Sequence, residues 1–509
     1  FDAVTVSSGD TLDLNGQRME CSGLFRNQGT IDVDGGLVYA ADFNLDQAFT
    51  NESGLNALVM TGTGDIDFGD SELTSGTFMI NSSGTVTMEN DHVVGNLLVG
   101  CGTLASSNTV DCTDLTIATG GTFNANDDII TVAGDFTTSG GLIGKSALHL
   151  NGSDQIVTVS DSSSMDAIAT NDELTVETWV NADDLSSSIA DKSVIGRNAQ
   201  FNLNFESSND KIEWLVYIGG GFQTLSSNTL YTSLTAGKYI HVAGTWDGTT
   251  MKLYIDGKLD AQSTPSGSMS DVSTDILIGG YRAGNEKHWD GIISKCSVWS
   301  KALTEAQIRT QMFYDYTAIN ADDTNFNDTL MGNLVGWWQF DEGTGTSTLD
   351  STSNDNDGTL SSAAWVSMGT FGYTGDNTGS TLVMAKSGTQ TINIVGGAFI
   401  DNLTINDGST TEVFTINDAG STINVAGNLI VNEKIKSHAS SASNKVTLWN
   451  AHTITIGSDV KTTALADMHQ IKMNNSSGTM LVPECTMKTC VINNSGGTTQ
   501  ATGDLTFTS

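Results

Sequence analysis

Residues 239–259 read YIHVAGTWDGTTMKLYIDGKL, and this stretch decides how the middle of the chain folds. Apolar and polar residues alternate through it, and Asp-Gly pairs are a strong signal for a tight turn between two strands. The pattern therefore predicts a β-hairpin with one face packed against a core.

The flanking sequence extends this pattern in both directions. Residues 174–180 (LTVETWV) alternate in the same way, and residues 276–281 (ILIGGY) and 289–299 (WDGIISKCSVW) are further strand candidates. Helical character is confined to residues 303–312, which begin with LTEAQI. The segment is predicted to be an antiparallel sandwich closed by one helical turn.

In number and order these motifs resemble a laminin-G-like domain of the concanavalin A-like lectin/glucanase superfamily, and the resemblance implies a jelly-roll sandwich over residues 142–370. One string departs from the family pattern. Residues 333–360 (NLVGWWQFDEGTGTSTLDSTSNDNDGTL) resemble the strand and loop that often open such domains, yet here they follow the helical tail. They either complete the same sandwich or belong to a degenerate second copy.

The first 141 residues have a different sequence pattern. Short β-rich pieces bounded by Gly, Asn or Ser recur at irregular intervals, among them residues 65–68 (DIDF), 85–88 (TVTM) and 129–132 (IITV). Such spacing is expected when each strand forms one side of a coil in a β-solenoid.

A pattern that precedes the predicted sandwich returns after it. Residues 114–117 (DLTI) and 130–136 (ITVAGDF) compare with residues 402–405 (NLTI) and 423–429 (INVAGNL). We therefore expect one solenoid scaffold interrupted by an inserted domain. The predicted divisions are 1–141 (scaffold), 142–370 (sandwich), 371–435 (return of the scaffold) and 436–509 (a C-terminal β module). The predicted fold class is all-β.

Composition narrows the possible partners. With 59 acidic and 21 basic residues the formal net charge is -38, which disfavours nucleic acid and anionic membrane surfaces as partners. No apolar run reaches the ~20 residues needed to cross a bilayer, so no membrane insertion is expected. The chain starts at Phe1, which indicates processing or a partial chain and leaves a signal peptide undecided.

Cysteine spacing excludes zinc-ribbon and thioredoxin-like motifs, because no two cysteines are separated by two residues. Two pairs of cysteines are close in sequence: Cys101 with Cys112, and Cys485 with Cys490. Each pair forms either a cross-strand disulfide or two buried free thiols, and free thiols are favoured. Cys21 and Cys296 have no close partner in sequence.

Catalytic motifs are missing from the sequence. Glucanases of this superfamily carry a compact Glu-x-Asp-x-x-Glu-like strand that supplies paired carboxylates, and no such string occurs. Glu173 and Glu177 fall on one strand face and are expected to be exposed, while His241 is expected to be a packed residue rather than a ligand. We therefore expect a chain that is not an enzyme.

The resemblance implies two kinds of site. Domains of this type often hold Ca²⁺ at a sandwich rim, and closely spaced carboxylates before a Gly turn suit an oxygen shell. The candidate Ca²⁺ ligands are Asp154, Asp350, Asp355 and Asp357, with metal-free Asx-turns as the alternative.

For carbohydrate, aromatic rings provide stacking area and polar side chains orient hydroxyl groups. The candidate residues lie in one loop region near the strand ends: Tyr281, Arg282, Asn285, Trp289 and Asp290. The other tryptophans of the segment, Trp179, Trp246 and Trp299, alternate with polar neighbours and are expected in the core.

By its style of sequence the chain resembles bacteriophage fibres and capsid decorations. The functional prediction is a non-enzymatic virion-surface structural protein, a fibre or capsid decoration, with a lectin-like head that binds cell-surface glycans for attachment. We expect a homo-oligomer that contacts neighbouring virion or surface subunits. The alternatives are a secreted bacterial adhesin or surface-array subunit, and a glycan-cleaving enzyme.

The identification with phage proteins rests on this style of sequence alone, since no diagnostic motif carries it. The expected location is the virion surface, or the bacterial cell surface for the secreted alternative.

Overall fold

The structure is a computed structural model that describes most of the first 366 residues and, beyond them, a series of strands. The described residues are 1–32, 36–45, 49–50, 57–68, 73–125, 128–144, 146–186, 191–282, 287–362, 365–366, 370–371, 381–384, 390–393, 399–400, 402–405, 413–416, 422–425, 429–431, 434–437, 445–449, 454–456, 470–475, 479–482, 485–487, 490–494, 498–501 and 505–507.

The chain folds as two compact units. One comprises Phe1–Asn15, Met19–Gly140 and Ser367–Ser509, and the other comprises Gly16–Arg18 and Gly141–Val366. The first unit is a β-solenoid and the second is a β-sandwich, so the predicted all-β class is confirmed. Among the described residues, every helix is too short or too polar to span a membrane.

The solenoid strands before the sandwich pair in parallel with strands of the next coil. They are β1 (Val4–Val6), β2 (Thr11–Asp13), β3 (Arg18–Glu20), β4 (Leu24–Asn27), β5 (Thr30–Asp32), β6 (Leu37–Ala40), β7 (Asp42–Leu45), β8 (Phe49–Thr50), β9 (Ala57–Met60), β10 (Asp65–Asp67), β11 (Leu73–Met88), β12 (His92–Ser106), β13 (Val110–Ala118), β14 (Gly121–Asn124), β15 (Ile129–Val132) and β16 (Phe136–Gly140).

Some of the short pieces predicted from sequence join into longer strands. Strand β11 has 16 residues, and it pairs with β9 through Thr77 to Ile80 and with β10 through Thr87 and Met88. One strand therefore supplies two sides of a coil. Gly76, with a φ of +81°, lies in this strand, and its left-handed conformation suits a bend there.

Stacked aromatic side chains fill part of the solenoid core. Phe43 lies edge-on to both Phe25 and Phe78, with ring centroids 5.9 Å apart in each case, and Phe78 contacts Phe68 at 5.2 Å. Each fully buried side chain of this kind stabilises the fold by about 1.5–3 kcal/mol relative to an exposed one. The coils are therefore joined by core contacts as well as by backbone hydrogen bonds.

The solenoid continues in register across the inserted unit. Phe123 in β14 pairs with Phe371, Ile130 in β15 pairs with Leu382, and Phe136 in β16 pairs with Ile392. The coil that ends at residue 140 thus stacks directly on the coil that begins near residue 370. This result supports the expected interruption of one scaffold by another domain.

The strands after the insertion extend the same parallel pairing. They are β32 (Thr370–Phe371), β33 (Thr381–Met384), β34 (Gln390–Asn393), β35 (Phe399–Ile400), β36 (Asn402–Ile405), β37 (Val413–Ile416), β38 (Thr422–Val425), β39 (Leu429–Val431), β40 (Lys434–Ser437), β41 (Lys445–Trp449), β42 (Ile454–Ile456), β43 (Gln470–Asn475), β44 (Thr479–Val482), β45 (Cys485–Met487), β46 (Cys490–Asn494), β47 (Thr498–Ala501) and β48 (Leu505–Phe507).

Two details of the scaffold prediction need correction. Strand β36 pairs with β33, which pairs with β15. Residues 114–117, in contrast, lie in the part of β13 that pairs with β16. The similar strings at residues 114–117 and 402–405 therefore lie on different sides of the coil. Strand β41 also pairs with β38, so parallel pairing runs through the boundary predicted at residue 435. The four-part division of the chain itself stays a prediction.

The sandwich consists of two antiparallel sheets. Its strands are β17 (Leu148–Asn151), β18 (Val157–Val159), β19 (Leu174–Ala182), β20 (Lys192–Arg197), β21 (Phe201–Glu206), β22 (Lys211–Ile218), β23 (Gly221–Leu230), β24 (Tyr239–Trp246), β25 (Met251–Ile255), β26 (Lys258–Ser263), β27 (Ile276–Ile278), β28 (Asp290–Trp299), β29 (Leu334–Trp338), β30 (Ser347–Thr348) and β31 (Gly358–Leu360).

The first sheet has the order β17-β28-β19-β24-β25-β26, with β29 also beside β28, and the second has the order β23-β22-β21-β20-β27-β18-β31-β30. Strand β29 thus joins the first sheet and β31 joins the second. The string at residues 333–360 therefore completes the same sandwich, which decides between the two alternatives left open by the sequence.

The stretch at residues 239–259 forms two successive hairpins rather than one. Strands β24 and β25 are joined at Asp247, whose carboxylate accepts hydrogen bonds from the backbone of Thr249 and Thr250. Strands β25 and β26 are joined at Asp256 and Gly257, whose φ angles of +48° and +70° suit a type I′ turn.

Four α-helices are described, where sequence predicted one. They are α1 (Asp166–Asn171), α2 (Glu305–Gln311), α3 (Tyr316–Ala321) and α4 (Asp328–Met331). Helix α2 is the predicted helical tail, and Thr304 and Gln307 form a capping box at its start. A short 3₁₀ turn also occurs at Tyr231–Ser233.

Candidate functional site

The outer face of the first sheet is covered by the helical segment. Side chains of Ile308, Ile319 and Phe326 pack with Trp299 and Trp337, and all five are buried. Strand β24 is consequently buried along its whole length, although the sequence predicted only one dry face. This covered face offers no surface to a large ligand.

Three ionisable side chains lie beneath that cover with no exposed surface. Glu177 Oε2 lies 3.0 Å from His241 Nε2, and Glu177 Oε1 lies 3.1 Å from Lys295 Nζ. Lys295 Nζ also lies 4.6 Å from the centre of the Trp337 ring. We call these three residues the buried triad.

Burial opposes ionisation of Glu177, but the neighbouring Lys295 ammonium and His241 outweigh it and hold the pKa of Glu177 below its ordinary value. Burial also lowers the pKa of Lys295, although Glu177 acts in the opposite direction. The expectation that Glu177 is exposed was wrong, whereas His241 is a packed residue as predicted. The buried triad has a structural role because solvent and substrate do not reach it.

The outer face of the second sheet carries a different arrangement. Ser193, Asn202, Asn204 and Glu213 lie on neighbouring strands β20, β21 and β22, and we call them the polar row. Their exposed fractions are 0%, 2%, 1% and 8%, which is unusual for polar residues and requires internal hydrogen bonds.

Hydrogen bonds connect most of the polar row. Ser193 Oγ donates to Asn202 Oδ1 at 2.5 Å, and Asn202 Nδ2 donates to Asn204 Oδ1 at 3.2 Å. Glu213 Oε1 accepts from Asn209 and from Ser226, at 2.9 and 3.0 Å. Asn204 Nδ2 has no hydrogen-bond partner among the described residues. One buried donor of the row is therefore left for another acceptor.

An aromatic patch borders the polar row. It comprises Tyr217, Phe222, Tyr281 and Arg282. The ring centroids of Tyr217 and Phe222 are 5.1 Å apart, and those of Phe222 and Tyr281 are 6.1 Å apart. Arg282 Cζ lies 5.7 Å from the centroid of the Tyr281 ring. Phe222 is 36% exposed. The patch thus presents aromatic surface to solvent.

Gly196 allows the aromatic patch and the polar row to meet. A Cβ atom at this position would lie 2.8 Å from Asn202 Oδ1 and 2.8 Å from Tyr281 Cδ2, closer than real side chains come. A larger residue would push Tyr281 away from the sheet. The glycine therefore brings the Tyr281 ring close to Asn202.

Charge near the polar row is mostly compensated. Lys287 Nζ lies 3.0 Å from Asp191 Oδ2 and 3.3 Å from Glu206 Oε2. Burial alone would raise the pKa of Asp191, but hydrogen bonds from Ser207 and the Lys287 ammonium lower it to about 2. Among the described lysines and arginines, none forms an ion pair with Glu213.

The five residues predicted to bind carbohydrate separate in the structure. Tyr281 and Arg282 belong to the aromatic patch. Trp289 is only 1% exposed and packs 5.0 Å from the ring of Phe205, so it offers no face to a sugar. Asp290 lies 3.7 Å from Lys192, beside the 151–154 turn. Asn285 lies outside the described residues.

The residues predicted to bind Ca²⁺ are largely engaged with the protein. Asp350 is 7% exposed, and its Oδ1 accepts hydrogen bonds from the backbone nitrogens of Trp337 and Thr352. Its Oδ2 accepts from Thr352 Oγ1 and Asn356 N. Both oxygens therefore organise the loop, and Asp350 does not fit a Ca²⁺ shell in this arrangement.

The other three carboxylates do not complete such a shell. Asp154 accepts from Asn151 Nδ2 at 2.8 Å, and Asp357 accepts from Asp350 N at 2.9 Å, while Asp355 is exposed. Ser361 Oγ, just after β31, donates to the carbonyl oxygen of Asp154. Within the described part of the chain, no three His, Cys, Asp or Glu side chains are grouped as metal ligands. Ca²⁺ binding stays a prediction.

The cysteines described with their side chains are buried free thiols. They are Cys21, Cys101, Cys112 and Cys296. A disulfide between Cys101 and Cys112 is therefore not formed, while the side chains of Cys485 and Cys490 lie outside what the structure describes. Burial raises the pKa of Cys296 to about 12, so this thiol is not a reactive nucleophile at neutral pH.

Sequence reasoning missed Tyr217, Phe222 and the polar row. Tyr217 and Phe222 flank three consecutive glycines in the string YIGGGF, a signal for two aromatics brought face to face by a hairpin. Asn202 and Asn204 alternate with Phe201, Leu203 and Phe205, so one face of that strand was recognisable as polar.

Comparisons with known proteins agree with this architecture. Residues 151–309 match a laminin-G family model described as the concanavalin A-like lectin/glucanases superfamily. A search of curated proteins finds no match.

Three similar solved structures illustrate the range of relatives. A candidate carbohydrate-binding protein from Bacteroides ovatus has 20% identity and a TM-score of 0.34, with 44% of this chain and 59% of that one covered. A heptameric SAP-like pentraxin from Limulus polyphemus has 16% identity and a TM-score of 0.26, covering 33% and 82%. Mouse laminin alpha1 domains LG4-5 have 15% identity and a TM-score of 0.25, covering 32% and 45%.

The chain thus spans 59% of the first of these structures, and the family model covers only part of the sandwich unit. The family match falls within the unit that folds as two antiparallel sheets. The inserted sandwich is a concanavalin A-like domain of the laminin-G-like kind, carried by a β-solenoid chain.

Proposed function

We propose that this chain is a non-catalytic glycan-binding protein, in which the sandwich binds cell-surface carbohydrate and the solenoid carries it. The observation that supports this proposal most directly is the exposed aromatic patch beside the polar row. Aromatic rings stack on the apolar faces of sugars, and amide or carboxylate groups bind their hydroxyls. Phe222 supplies the exposed ring, and the exposed guanidinium of Arg282 beside Tyr281 supplies hydrogen-bond donors.

The location of these features also supports binding. The outer face of the first sheet is covered by Ile308, Ile319 and Phe326, whereas Phe222 is exposed on the outer face of the second sheet. An exposed aromatic ring is therefore available to a ligand on the second sheet, at the edge of the buried polar row.

A glycan-cleaving enzyme is the competing function. Glu206 and Glu213 occupy diagonal positions on neighbouring strands, because Glu213 pairs with Asn204, two residues before Glu206. Such positions are about 7–8 Å apart at the backbone, and glycoside hydrolysis requires two carboxyl groups that flank one bond. Glu206 Oε2, however, lies 3.3 Å from Lys287 Nζ, so this carboxylate is engaged in an ion pair within the protein.

The proposed setting is the surface of a virion, as a fibre or capsid decoration made of several copies. Buried free thiols at Cys21, Cys101, Cys112 and Cys296 favour assembly in a reducing cytosol. A secreted bacterial adhesin is the alternative. Mass spectrometry of alkylated, unreduced protein distinguishes them, because paired Cys485 and Cys490 would favour secretion.

Binding is tested with the full chain on a glycan array, followed by titration calorimetry with the best ligand. Phe222→Ala is expected to weaken binding at least tenfold, which is about 1.4 kcal/mol. Leu230→Ala is the matched control, because Leu230 is 42% exposed on the same strand and should leave affinity unchanged. A blank array would contradict the proposal, and release of shortened glycans would support the enzyme instead.

A further inference from the structure

We propose that the aromatic patch binds glycans that carry one anionic group, a carboxylate or a sulfate, in preference to neutral and to densely charged glycans. This inference rests on the proposed glycan-binding function and names its ligand class. Three observations carry it: the exposed surface of one hairpin, the guanidinium held beside that surface, and the charge of the rest of the chain.

The exposed surface lies on the outer face of the hairpin formed by β22 and β23. Across this hairpin Tyr217 pairs with Phe222, and Leu215 pairs with Thr224. Side chains two residues apart on a strand point to the same face, so these four residues share one face. Tyr217 and Leu215 are half-buried, whereas Phe222 and Thr224 are exposed. A sugar ring therefore has access to Phe222 without entering the buried polar row.

Arg282 supplies a cation beside this surface. Its Cζ atom lies 5.7 Å from the centroid of the Tyr281 ring, and the centroid of the Phe222 ring lies 6.1 Å from the same point. The Tyr281 ring thus lies beside both the guanidinium and the exposed phenylalanine. Arg282 is exposed, and it forms no ion pair with any acidic side chain that the structure describes. A guanidinium in this state binds an oxyanion through charge-assisted hydrogen bonds.

The charge around Tyr281 is positive although the chain as a whole is acidic. Burial raises the pKa of Tyr281, and the two charged groups that act against burial, Arg282 and Lys287, are both cations. Lys287 is already paired with Asp191 and Glu206, at 3.0 and 3.3 Å. Arg282 is therefore the cation that an anionic ligand meets beside Phe222.

The rest of the chain limits how much negative charge a ligand can carry. The formal net charge is -38, and summed charge of one sign repels ligands of that sign over the whole surface. Direct contact with Arg282 compensates the first anionic group of a glycan. Further groups lie beyond this contact, because the four residues of the aromatic patch include one cation. Affinity should therefore be highest with one anionic group per glycan.

A glycan array followed by calorimetry with the full chain tests this selectivity. The array carries matched sets of neutral glycans, glycans with one uronic acid or one sulfate, and glycans with several such groups. Glycans with one anionic group should bind about tenfold more tightly than their neutral and their densely charged counterparts. Comparison of the uronic-acid set with the sulfate set identifies the oxyanion that Arg282 binds. Tightest binding of neutral glycans would overturn the inference, as would an affinity that rises with every added charge.

Arg282→Gln is the diagnostic variant, because it removes the cation and keeps a polar side chain at an exposed position. It should lower affinity for the singly anionic glycan about tenfold and leave affinity for the neutral counterpart within about twofold. Lys252→Gln is the matched control, because it removes one positive charge from β25 in the first sheet and should change neither affinity. Phe222→Ala should weaken both by the same factor, since stacking does not depend on the ligand's charge.

The outcomes separate this inference from the function on which it rests. If no glycan binds, the proposed glycan-binding function fails. If glycans bind but Arg282→Gln leaves the preference for one anionic group intact, only the inference fails. Analytical ultracentrifugation of the same variant tests a protein partner: a changed oligomeric state would assign the aromatic patch to a contact between subunits and overturn the inference.

Discussion

The solenoid and the sandwich both bury the faces of their β-strands, but the paired strands differ in how far apart they lie in the sequence. In the solenoid, except where β14, β15 and β16 pair across the insertion, strands pair with strands of the next coil that are near in sequence, as Phe25 does with Phe43. In the sandwich, β17 pairs with β28, so Leu148 lies beside Ile293. Solenoid contacts are repeated from coil to coil, whereas the sandwich combines local hairpins with pairings between segments that are far apart in sequence.

This difference explains why the solenoid tolerates the insertion of the sandwich between two of its coils. A solenoid coil contacts mainly its two neighbours, so only the register of adjacent coils must survive an interruption. Phe123 and Phe371 keep that register. In the sandwich an interruption between paired strands has no equivalent seam, since every sheet combines strands from distant parts of the sequence.

The largest expected effect is in the sandwich. Glu177→Gln should destabilise it by about 3–5 kcal/mol, because the variant leaves Lys295 charged and buried without its partner. Chemical unfolding followed by tryptophan fluorescence should show this loss, since Trp179 and Trp337 lie beside the buried triad.

The matched control for Glu177→Gln is Glu173→Gln. Glu173 pairs with Lys301, but their side chains are 22% and 45% exposed, so the loss should stay below about 1 kcal/mol. Equal effects of the two substitutions would show that the buried triad contributes no more than a surface ion pair.

A slightly smaller effect is expected in the solenoid. Phe43→Ala should cost about 3 kcal/mol, because the ring contacts Phe25 and Phe78 in two neighbouring coils and its removal leaves a cavity. Hydrogen exchange should detect local opening around these coils, with the amides of β19 and β24 unchanged. Increased exchange in β19 or β24 would contradict the independence of the two units.

A smaller effect still is expected when the sandwich is removed. A chain in which Gly140 is joined to residue 367 by a short Gly/Ser linker should retain the solenoid's stability to within about 0.5 kcal/mol. The reason is that β14, β15 and β16 already pair with β32, β33 and β34. Loss of the β spectrum in circular dichroism would show that the solenoid depends on the inserted domain.

The smallest expected effect is that of Ca²⁺. Both Asp350 oxygens are occupied by hydrogen bonds, so we expect the sandwich to bind Ca²⁺ only with a dissociation constant above the millimolar concentration used. At such concentrations Ca²⁺ should raise the free energy of unfolding by less than about 0.4 kcal/mol. Thermal unfolding with and without millimolar Ca²⁺ measures this. A large gain that disappears in the double variant Asp355→Ala, Asp357→Ala would restore the predicted rim site.

Much of the fold could be predicted from local sequence. The alternation in β19 and β24 and the Asp-Gly turns are short-range signals that the final fold preserves. The helical cover was harder to predict, because α3 and α4 are six and four residues long and have little periodicity. Their stability comes from packing against Trp299 and Trp337, which sequence separation conceals.

The candidate site was predicted only in part. Tyr281 and Arg282 were named as candidates and lie in the aromatic patch, whereas Trp289, also named, is buried against Phe205. An isolated aromatic residue does not reveal which face of its strand is buried, and Trp289 lies at the irregular start of β28. The polar row needed the sheet order, because it combines side chains from β20, β21 and β22.

The seam between Phe123 and Phe371 also has a genetic consequence. Recombination that exchanges the codons between residues 140 and 367 would replace the entire sandwich without altering a single pairing between solenoid coils. One such event would therefore exchange the whole inserted unit, while the strand pairings of the solenoid stay under separate selection.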